Sequence, residues 1–345
     1  MILLLLLSYY IFVNIKYLLY KFGCFKIFDL SQTYSICVGN LDFGGTGKTP
    51  CVEFLIDLLK DDYHINVISA GYKRKTNSYD CILADESKTV YDIGDEPKML
   101  FDKYKHVDIA VCKDRIKAYQ TLCDQYTTLN NEVFIFDDAL QYKKIKCRTN
   151  IVLTRYDLPF FKDRLFPYGL LRDTHKILKN ADVIIVTKCP DNYEKDKYIE
   201  KIRPYVNSNT KVLFSKLIYD TSQINTTNNK INDKQINVIL VTGIAYSYYC
   251  KKFIEEKYTL IEHIKYGDHY DYNEYDIKYI VNKYHSIDIE NKVLVTTEKD
   301  YVKLNQTNFK KYFDNLSIKV LPIYMNILDN KLSTTELKDL FIKSK

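Results

Sequence analysis

The residues best suited to chemistry are Gly44-Gly45-Thr46-Gly47-Lys48-Thr49, which follow an apolar run and open a helical one. Backbone N–H groups of a glycine-rich turn and of a helix N-terminus hold anions. A lysine placed there reaches the β- and γ-phosphates of a nucleotide, and a threonine hydroxyl ligates Mg²⁺. Pro50 agrees, because a proline early in a helix forfeits an N–H that has no intrahelical acceptor. The usual phosphate-loop spacing asks for a glycine five residues before Gly47, and this chain has Asp42 there. Gly-Lys-Thr is common by chance, but its strand-then-helix setting makes it a nucleotide site, with Mg²⁺ as the expected cation.

Further acidic groups stand where such a site needs them. Asp137 and Asp138 end the apolar run VFIF, as do the carboxylates that hold Mg²⁺ or its water in phosphate-loop enzymes. Asp-Asp also suits a helix cap or turn. Transfer to a hydroxyl needs a proton acceptor, and two places offer one. Asp95 and Glu96 follow Gly94 and precede Pro97, where helix capping is the other reading; Asp268 and His269 lie among tyrosines, where a loop hydrogen bond is the other reading. Local chemistry does not choose between these. Lys73, Arg74 and Lys75 could meet a phosphate, or form a solvated basic turn.

The elements that must carry these groups alternate short β-branched runs with helix-length stretches, the pattern of a parallel α/β sheet. Strands are predicted at Ser35–Leu41, Asn66–Ser69, Val107–Val111, Val133–Phe136, Asn150–Leu153, Val183–Thr187 and Lys211–Phe214. Helices are predicted at Lys48–Lys60, Glu96–Lys105 and Lys113–Gln125. Runs such as VIIV, apolar throughout, fit a sheet covered on both faces. Tyr219–Lys234 is polar and reads as a linker to a second α/β set, with helices near Tyr246–Glu256 and Glu274–Tyr284. The predicted organisation is an N-terminal helix over 1–28, a phosphate-loop domain over 29–222 with its sheet flanked by helices, and a smaller α/β domain over 223–345 that contributes to the cleft.

The chain has 345 residues, 46% of them hydrophobic, and 50 basic against 44 acidic side chains for a net charge of +6. This mild excess suits an anionic membrane surface or anionic substrate; nucleic acid is not an expected partner. Nine cysteines without paired spacing read as reduced thiols of a cytosolic compartment. The N-terminus is apolar from Ile2 to Val13, and Lys16, Lys21 and Lys26 follow. No basic residue precedes the run and no small-residue cleavage site follows it, so a cleaved signal fits poorly. A membrane-associated helix is expected, with the downstream chain on the cytoplasmic side.

In chain order, VGNLDFGGTGKTP, SAGYKRK, GDEP, DDALQY, LFPYGLLRD, ADVIIVTK, VTGIA, DHYDY and TTEKDYVKL run from residue 38 to 304. This set resembles the tetraacyldisaccharide 4'-kinase family, membrane-associated enzymes of lipid A biosynthesis in Gram-negative bacteria. A non-glycine at the Asp42 position is that family's own pattern. The resemblance implies ATP- and Mg²⁺-dependent phosphorylation of the 4'-hydroxyl of a tetraacylated glucosamine disaccharide 1-phosphate. It puts Lys48 and Thr49 in the phosphate loop, Asp95 as general base with His269 its partner, and Asp137 and Asp138 at the metal. Such a base should be basic enough near neutral pH to take the hydroxyl proton. The resemblance further implies the cytoplasmic face of the bacterial inner membrane, with the lipid as partner and no stable protein partner. Ala70 and Tyr142 stand where the family has Arg and His, which removes two polar contacts. Arg172 matches a family arginine, contacting phosphate or pinning a loop. At the level of residues, a kinase or ATPase acting on another small molecule, and a membrane-attached ATPase switch, stay open. A switch would need no acceptor base.

Overall fold

The computed structural model of the protein describes residues 10, 14–20, 22–224, 233–314, 316–329 and 332–342. Most of the apolar run Ile2–Val13 therefore lies outside the described residues, as does most of the second half of the expected linker. Residues 14–20 are helical. Among the described residues no helix is long and apolar enough to cross a membrane.

The strands are β1 Phe28–Leu30, β2 Tyr34–Asn40, β3 His64–Ser69, β4 Ile82–Leu83, β5 Asp108–Val111, β6 Glu132–Asp137, β7 Ile145–Cys147 and β8 Thr149–Arg155. They continue as β9 Val183–Thr187, β10 Lys211–Tyr219, β11 Asn237–Thr242, β12 Thr259–Lys265, β13 Lys292–Thr297, β14 Ile318–Leu321 and β15 Ile323–Ile327. Nine of them form one sheet in the order β15-β10-β9-β8-β2-β6-β3-β5-β4, and four form a second in the order β12-β11-β13-β14. Pairing in the large sheet is parallel except at its two edges, where β4 and β15 run antiparallel to their neighbours. The second sheet is parallel throughout. A separate ribbon joins β1 to β7.

Every strand predicted in the first domain is present, because each interior strand is buried on both faces and so reads as a continuous apolar run. The run IKVLPIY behaves differently. Pro322 has no N–H to give to a ladder, and the chain divides there: β14 stays in the second sheet and β15 returns to the first. Residues beyond 322, expected with the C-terminal unit, thus extend the large sheet.

The longer helices are α1 Lys48–Leu59, α2 Asp95–Lys103, α3 Arg115–Cys123, α4 Lys195–Ile202, α5 Ser247–Lys257, α6 Glu274–Ser286, α7 Glu298–Leu304 and α8 Thr334–Ile342. Along α1, Cys51, Val52, Leu55, Ile56 and Leu59 are buried, a spacing that lays one face on the sheet. Each fully buried aliphatic side chain there contributes about 1.5–3 kcal/mol. Large apolar clusters fill both sides of the nine-stranded sheet, and two smaller ones flank the second. All nine cysteines are unpaired.

Candidate active site

The phosphate loop leaves the C-terminal end of β2, in the middle of the large sheet. Gly44, Gly45 and Gly47 have φ of 82°, 62° and 90°, in the region that favours glycine. Asp42 needs no such freedom: it is not among the residues with positive φ and forms an antiparallel bridge with Leu171. Arg172 N–H donates to Leu41 O at 2.7 Å and Phe43 N–H to Leu170 O at 3.0 Å, so the 163–172 loop straps the base of the phosphate loop. Asp42 is buried, and burial, only partly offset by Arg155 and Lys48, lifts its carboxyl to about 6. Gly47 caps α1 without a side chain, leaving the first N–H groups of the helix for an anion.

β6 lies beside β2 in register, Val38 opposite Asp137. Asp137 therefore emerges next to the loop. Its Oδ1 is buried without a hydrogen-bond partner, and burial together with the charge of Asp138 raises its carboxyl to about 7. Asp138 differs: burial opposes its ionisation, but Lys48 and Arg172 outweigh it and hold the carboxyl below its ordinary value. Lys48 Nζ stands 3.7 Å from Asp138 Oδ1 and 3.3 Å from Asn40 Oδ1. Arg172 grips Asp138 with both terminal nitrogens, and its Nη2 also donates to Asn40 Oδ1 at 2.6 Å. So Arg172 touches Asp138 of the acidic pair as well as strapping its own loop to the phosphate loop. Tyr142 does not replace the family's histidine in kind: its hydroxyl donates to Asp114, the N-cap of α3.

Gly94, at φ 92°, takes the cap position of α2, so Asp95 is the first helical residue and makes no cap bond. The capping reading of Asp95 is thereby excluded. Its carboxylate, 6% exposed, crosses to the C-terminal lobe, where His269 Nδ1 lies 2.9 Å from Oδ2 and 3.1 Å from Oδ1. Burial alone would raise the Asp95 carboxyl. Hydrogen bonds from His269 and Glu96 and the charge of Lys299 outweigh burial and hold it well below the usual carboxylate range. The expectation of a carboxylate tuned toward basicity is therefore corrected: two donors and a nearby positive charge stabilise the anion. Glu96 moves the opposite way, raised chiefly by burial and by the charge of Asp95.

Three sequence motifs of the second lobe meet behind His269. His269 is left-handed at φ 51°, and its N–H donates to Gly243 O at 3.1 Å. Asp300 accepts from Gly243 N–H at 2.8 Å, Thr297 Oγ1 at 2.8 Å and Tyr272 Oη at 3.2 Å. VTGIA, DHYDY and TTEKD are thus one hydrogen-bonded knot. Glu298 from the same α7 meets Lys103 of α2 at 2.8 Å, and Lys103 meets the buried Glu53 of α1 at 2.9 Å. Lys299 Nζ lies 2.7 Å from Glu96 Oε1 and 2.9 Å from His269 Nε2.

Among the described residues, ligand atoms of Asp95, Glu96 and His269 lie within 4.8 Å of one another, but the Lys299 ammonium already neutralises that group. Asp137, with its bare buried oxygen, is the better place for a cation. Sequence reasoning missed Lys299, Lys103 and Tyr246. The Tyr246 ring seats on Gly45, where an added Cβ would fall 2.0 Å from it, and Arg155 stacks on the same ring at 4.4 Å. The lysines offered no signal beyond membership of helical runs, since their partners come from other elements.

The predicted site residues thus come from four places in the chain: Lys48 of the phosphate loop meets Asp138, Asp95 meets His269, and Glu96, next to Asp95, is close enough to Asp137 to help raise its carboxyl. The comparisons point the same way. Residues 1–341 match the family model described as Tetraacyldisaccharide-1-P 4'-kinase. A tetraacyldisaccharide 4'-kinase of Flavobacterium johnsoniae is 33% identical over 90% of this chain and 89% of its own. One from Porphyromonas gingivalis is 34% identical over 78% of this chain and 76% of its own. The fold is similar to the crystal structure of an "apo" form of LpxK from Aquifex aeolicus in complex with ATP, with a TM-score of 0.71 and 26% identity over 99% of this chain and 98% of that one. With residues 1–341 matched and two thirds or more of each of these relatives covered at 33–34% identity, this protein belongs to the tetraacyldisaccharide 4'-kinase family.

Proposed function

We propose that the protein transfers the γ-phosphoryl group of ATP to the 4'-hydroxyl of a tetraacylated glucosamine disaccharide 1-phosphate. The observation that carries this reading is the ionised Asp95, free of any capping role and paired with His269, on a helix whose Glu96 is close enough to Asp137 to help raise its carboxyl. A nucleotide switch has no use for such a group.

Loop N–H groups from Gly44 to Gly47 and the α1 N-terminus hold the phosphates, and Lys48 balances their charge. Asp95 accepts the acceptor proton as its oxygen bonds to phosphorus. An acidic carboxylate suits a loose transition state, in which the hydroxyl becomes acidic only as that bond forms. Arg172 and Lys48 hold Asp138, and the unpartnered Oδ1 of Asp137 fits a divalent cation, with Thr49 as a further ligand. When bound, Mg²⁺ neutralises charge on the phosphate oxygens.

The lipid enters from a membrane surface at the cytoplasmic face of the inner membrane. Ile15, Phe22, Phe25 and Ile27, at 43–75% exposure, form an apolar flank directly after the N-terminal run. A cavity of about 1120 Å³ opens beside it, lined by Tyr17, Tyr20, Ile27, Leu140, Lys143 and Ile177 among others. Its lining mixes apolar side chains with Lys143, Lys146, Arg148 and Lys179, a combination that suits an acylated, anionic lipid.

Incubation with γ-labelled ATP and the disaccharide 1-phosphate in detergent micelles tests the reaction: label is expected in the lipid fraction. Label remaining in ATP and inorganic phosphate would sink it. Sedimentation with anionic vesicles tests the membrane reading, where loss of residues 1–20 should release the protein; equal sedimentation contradicts it.

A further inference from the structure

The proposed reaction uses Lys48 at the phosphate loop but leaves two other basic groups beside it, Arg155 and Lys188, without a task. Arg155 ends β8 and pairs in register with Thr187, the last residue of β9, so Lys188 follows directly. Thr187 Oγ1 donates to Thr46 O at 2.8 Å, and its methyl lies 4.0 Å from where a Cβ on Gly47 would stand. Both basic side chains therefore start at the edge of the loop, on the flank of β2 away from β6 and its acidic pair.

Neither has the partners its chemistry asks for. Arg155 is 3% exposed, yet its Nε is buried without a hydrogen-bond partner among the described residues. The carboxylate in reach, Asp157, stands 3.6 Å from Nε and already accepts from the Tyr249 hydroxyl at 2.9 Å. The guanidinium instead stacks on the Tyr246 ring at 4.4 Å. Lys188 is half-buried and left-handed at φ 58°, with the Tyr246 and Tyr249 rings each 4.7 Å from its Nζ. Burial and the charge of Arg155, only partly countered by Asp157, lower its amine to about 8. Desolvated donors of this kind call for an acceptor, and beside an anion-binding loop that acceptor is an anion. We propose that Arg155 and Lys188 form a second anion subsite of the phosphate loop, one that grips the α,β-diphosphate of the nucleotide, with the Tyr246 ring as the platform that holds them.

This rests on the loop binding a nucleotide, as the proposed reaction requires. For transfer, the γ-phosphorus points toward Asp95, whose neighbour Glu96 is close enough to Asp137 of β6 to help raise its carboxyl. Strands β8 and β9 lie on the other flank of β2, so the nucleoside end of the triphosphate extends toward Arg155 and Lys188. A guanidinium gives a phosphate two parallel N–H donors, and an ammonium adds a compact charge. Ring faces attract both groups without supplying a charged oxygen, so a phosphate displaces no ion pair of Lys188. The groups facing Lys188 are Arg155 and Asp157 from the end of β8 and the segment after it, and Tyr246 and Tyr249 from the start of α5. A phosphate set among them favours the ammonium, so binding draws a proton from solution near pH 8.

Calorimetric titration of the full chain with Mg²⁺–ADP and with Mg²⁺–ATP, without lipid, at pH 8 in two buffers of different ionisation enthalpy reads affinity and proton exchange together. The wild type is expected to take up protons with either nucleotide. Lys188→Met should abolish that uptake, which a merely structural role would not do. Arg155→Met and Lys188→Met should each weaken ADP and ATP alike by on the order of 10–100-fold, the loss of one charge-assisted hydrogen bond. Arg155→Lys, which keeps a charge but loses the fork, should recover part of that loss. Binding by the wild type without proton uptake overturns the proposal, whether or not a variant folds. Unchanged affinities in both methionine variants, or a loss confined to ATP, also overturn it. A disaccharide 1-phosphate that takes no label from ATP overturns the proposed reaction alone, since ADP binding needs no acceptor.

Discussion

At the scale of the residue, Asp95 and Asp42 are two buried carboxylates with opposite fates. Asp95 is surrounded by donors and stays ionised; Asp42 has an oxygen without a hydrogen-bond partner, and burial raises it to about 6. The sign for Asp42 follows from linkage. The folded chain takes this proton more readily than the unfolded chain, so Asp42 penalises stability increasingly as pH rises from about 4 to about 6. Asp42→Asn should therefore stabilise the protein at pH 8 by up to about 3 kcal/mol, the linkage value of that shift. The gain should vanish near pH 4, as urea unfolding at the two pH values would measure; an equal effect at both contradicts it. Sequence made Asp42 visible as a departure from a motif and made Lys48, Thr49 and the acidic pair visible through spacing. It could not weigh Asp95 against a cap, because Gly94 is the residue that settles the matter, nor find Lys299, whose partners are remote in sequence.

At the scale of the element, the interior strands were legible because burial on both faces leaves a short apolar signature with no alternation. The edge strands β4 and β15 were not, since they are short or share a run with another strand. What couples the elements was also hidden: Lys103 ties α2 to Glu53 of α1 and to Glu298 of α7, so the helix bearing Asp95 is held to the phosphate-loop helix and to the second lobe. Burial, partly countered by Lys103, raises Glu53 to about 7. Lys103→Met would leave two carboxylates facing each other, one of them buried, at a cost of about 3–5 kcal/mol. The folded state binds the Glu53 proton more tightly than the unfolded chain, so the loss should be larger at pH 8 than at pH 5. Denaturant midpoints at both values check this, and a loss under 1 kcal/mol at pH 8 would count against the bridge.

At the scale of the whole molecule, the proposed site is divided between a mostly parallel sheet of nine strands and a parallel sheet of four: phosphate loop, acidic pair and Asp95 with the first, His269 with the second. That division follows chain order, since His269 comes after the polar segment at Tyr219–Lys234 and the other groups before it. The return of β15 to the first sheet was not legible, because it turns on a single proline inside an apolar run. A site shared by two lobes binds nucleotide with one and completes the acceptor side only with the other, so binding and transfer should separate under mutation. The most direct test is a single-turnover comparison of wild type with Asp95→Ala, using γ-labelled ATP and the lipid disaccharide 1-phosphate, alongside nucleotide affinity for each. Loss of about 10²–10⁴ in the transfer rate with ATP affinity retained is the expected result. Transfer at the wild-type rate by Asp95→Ala would contradict the account.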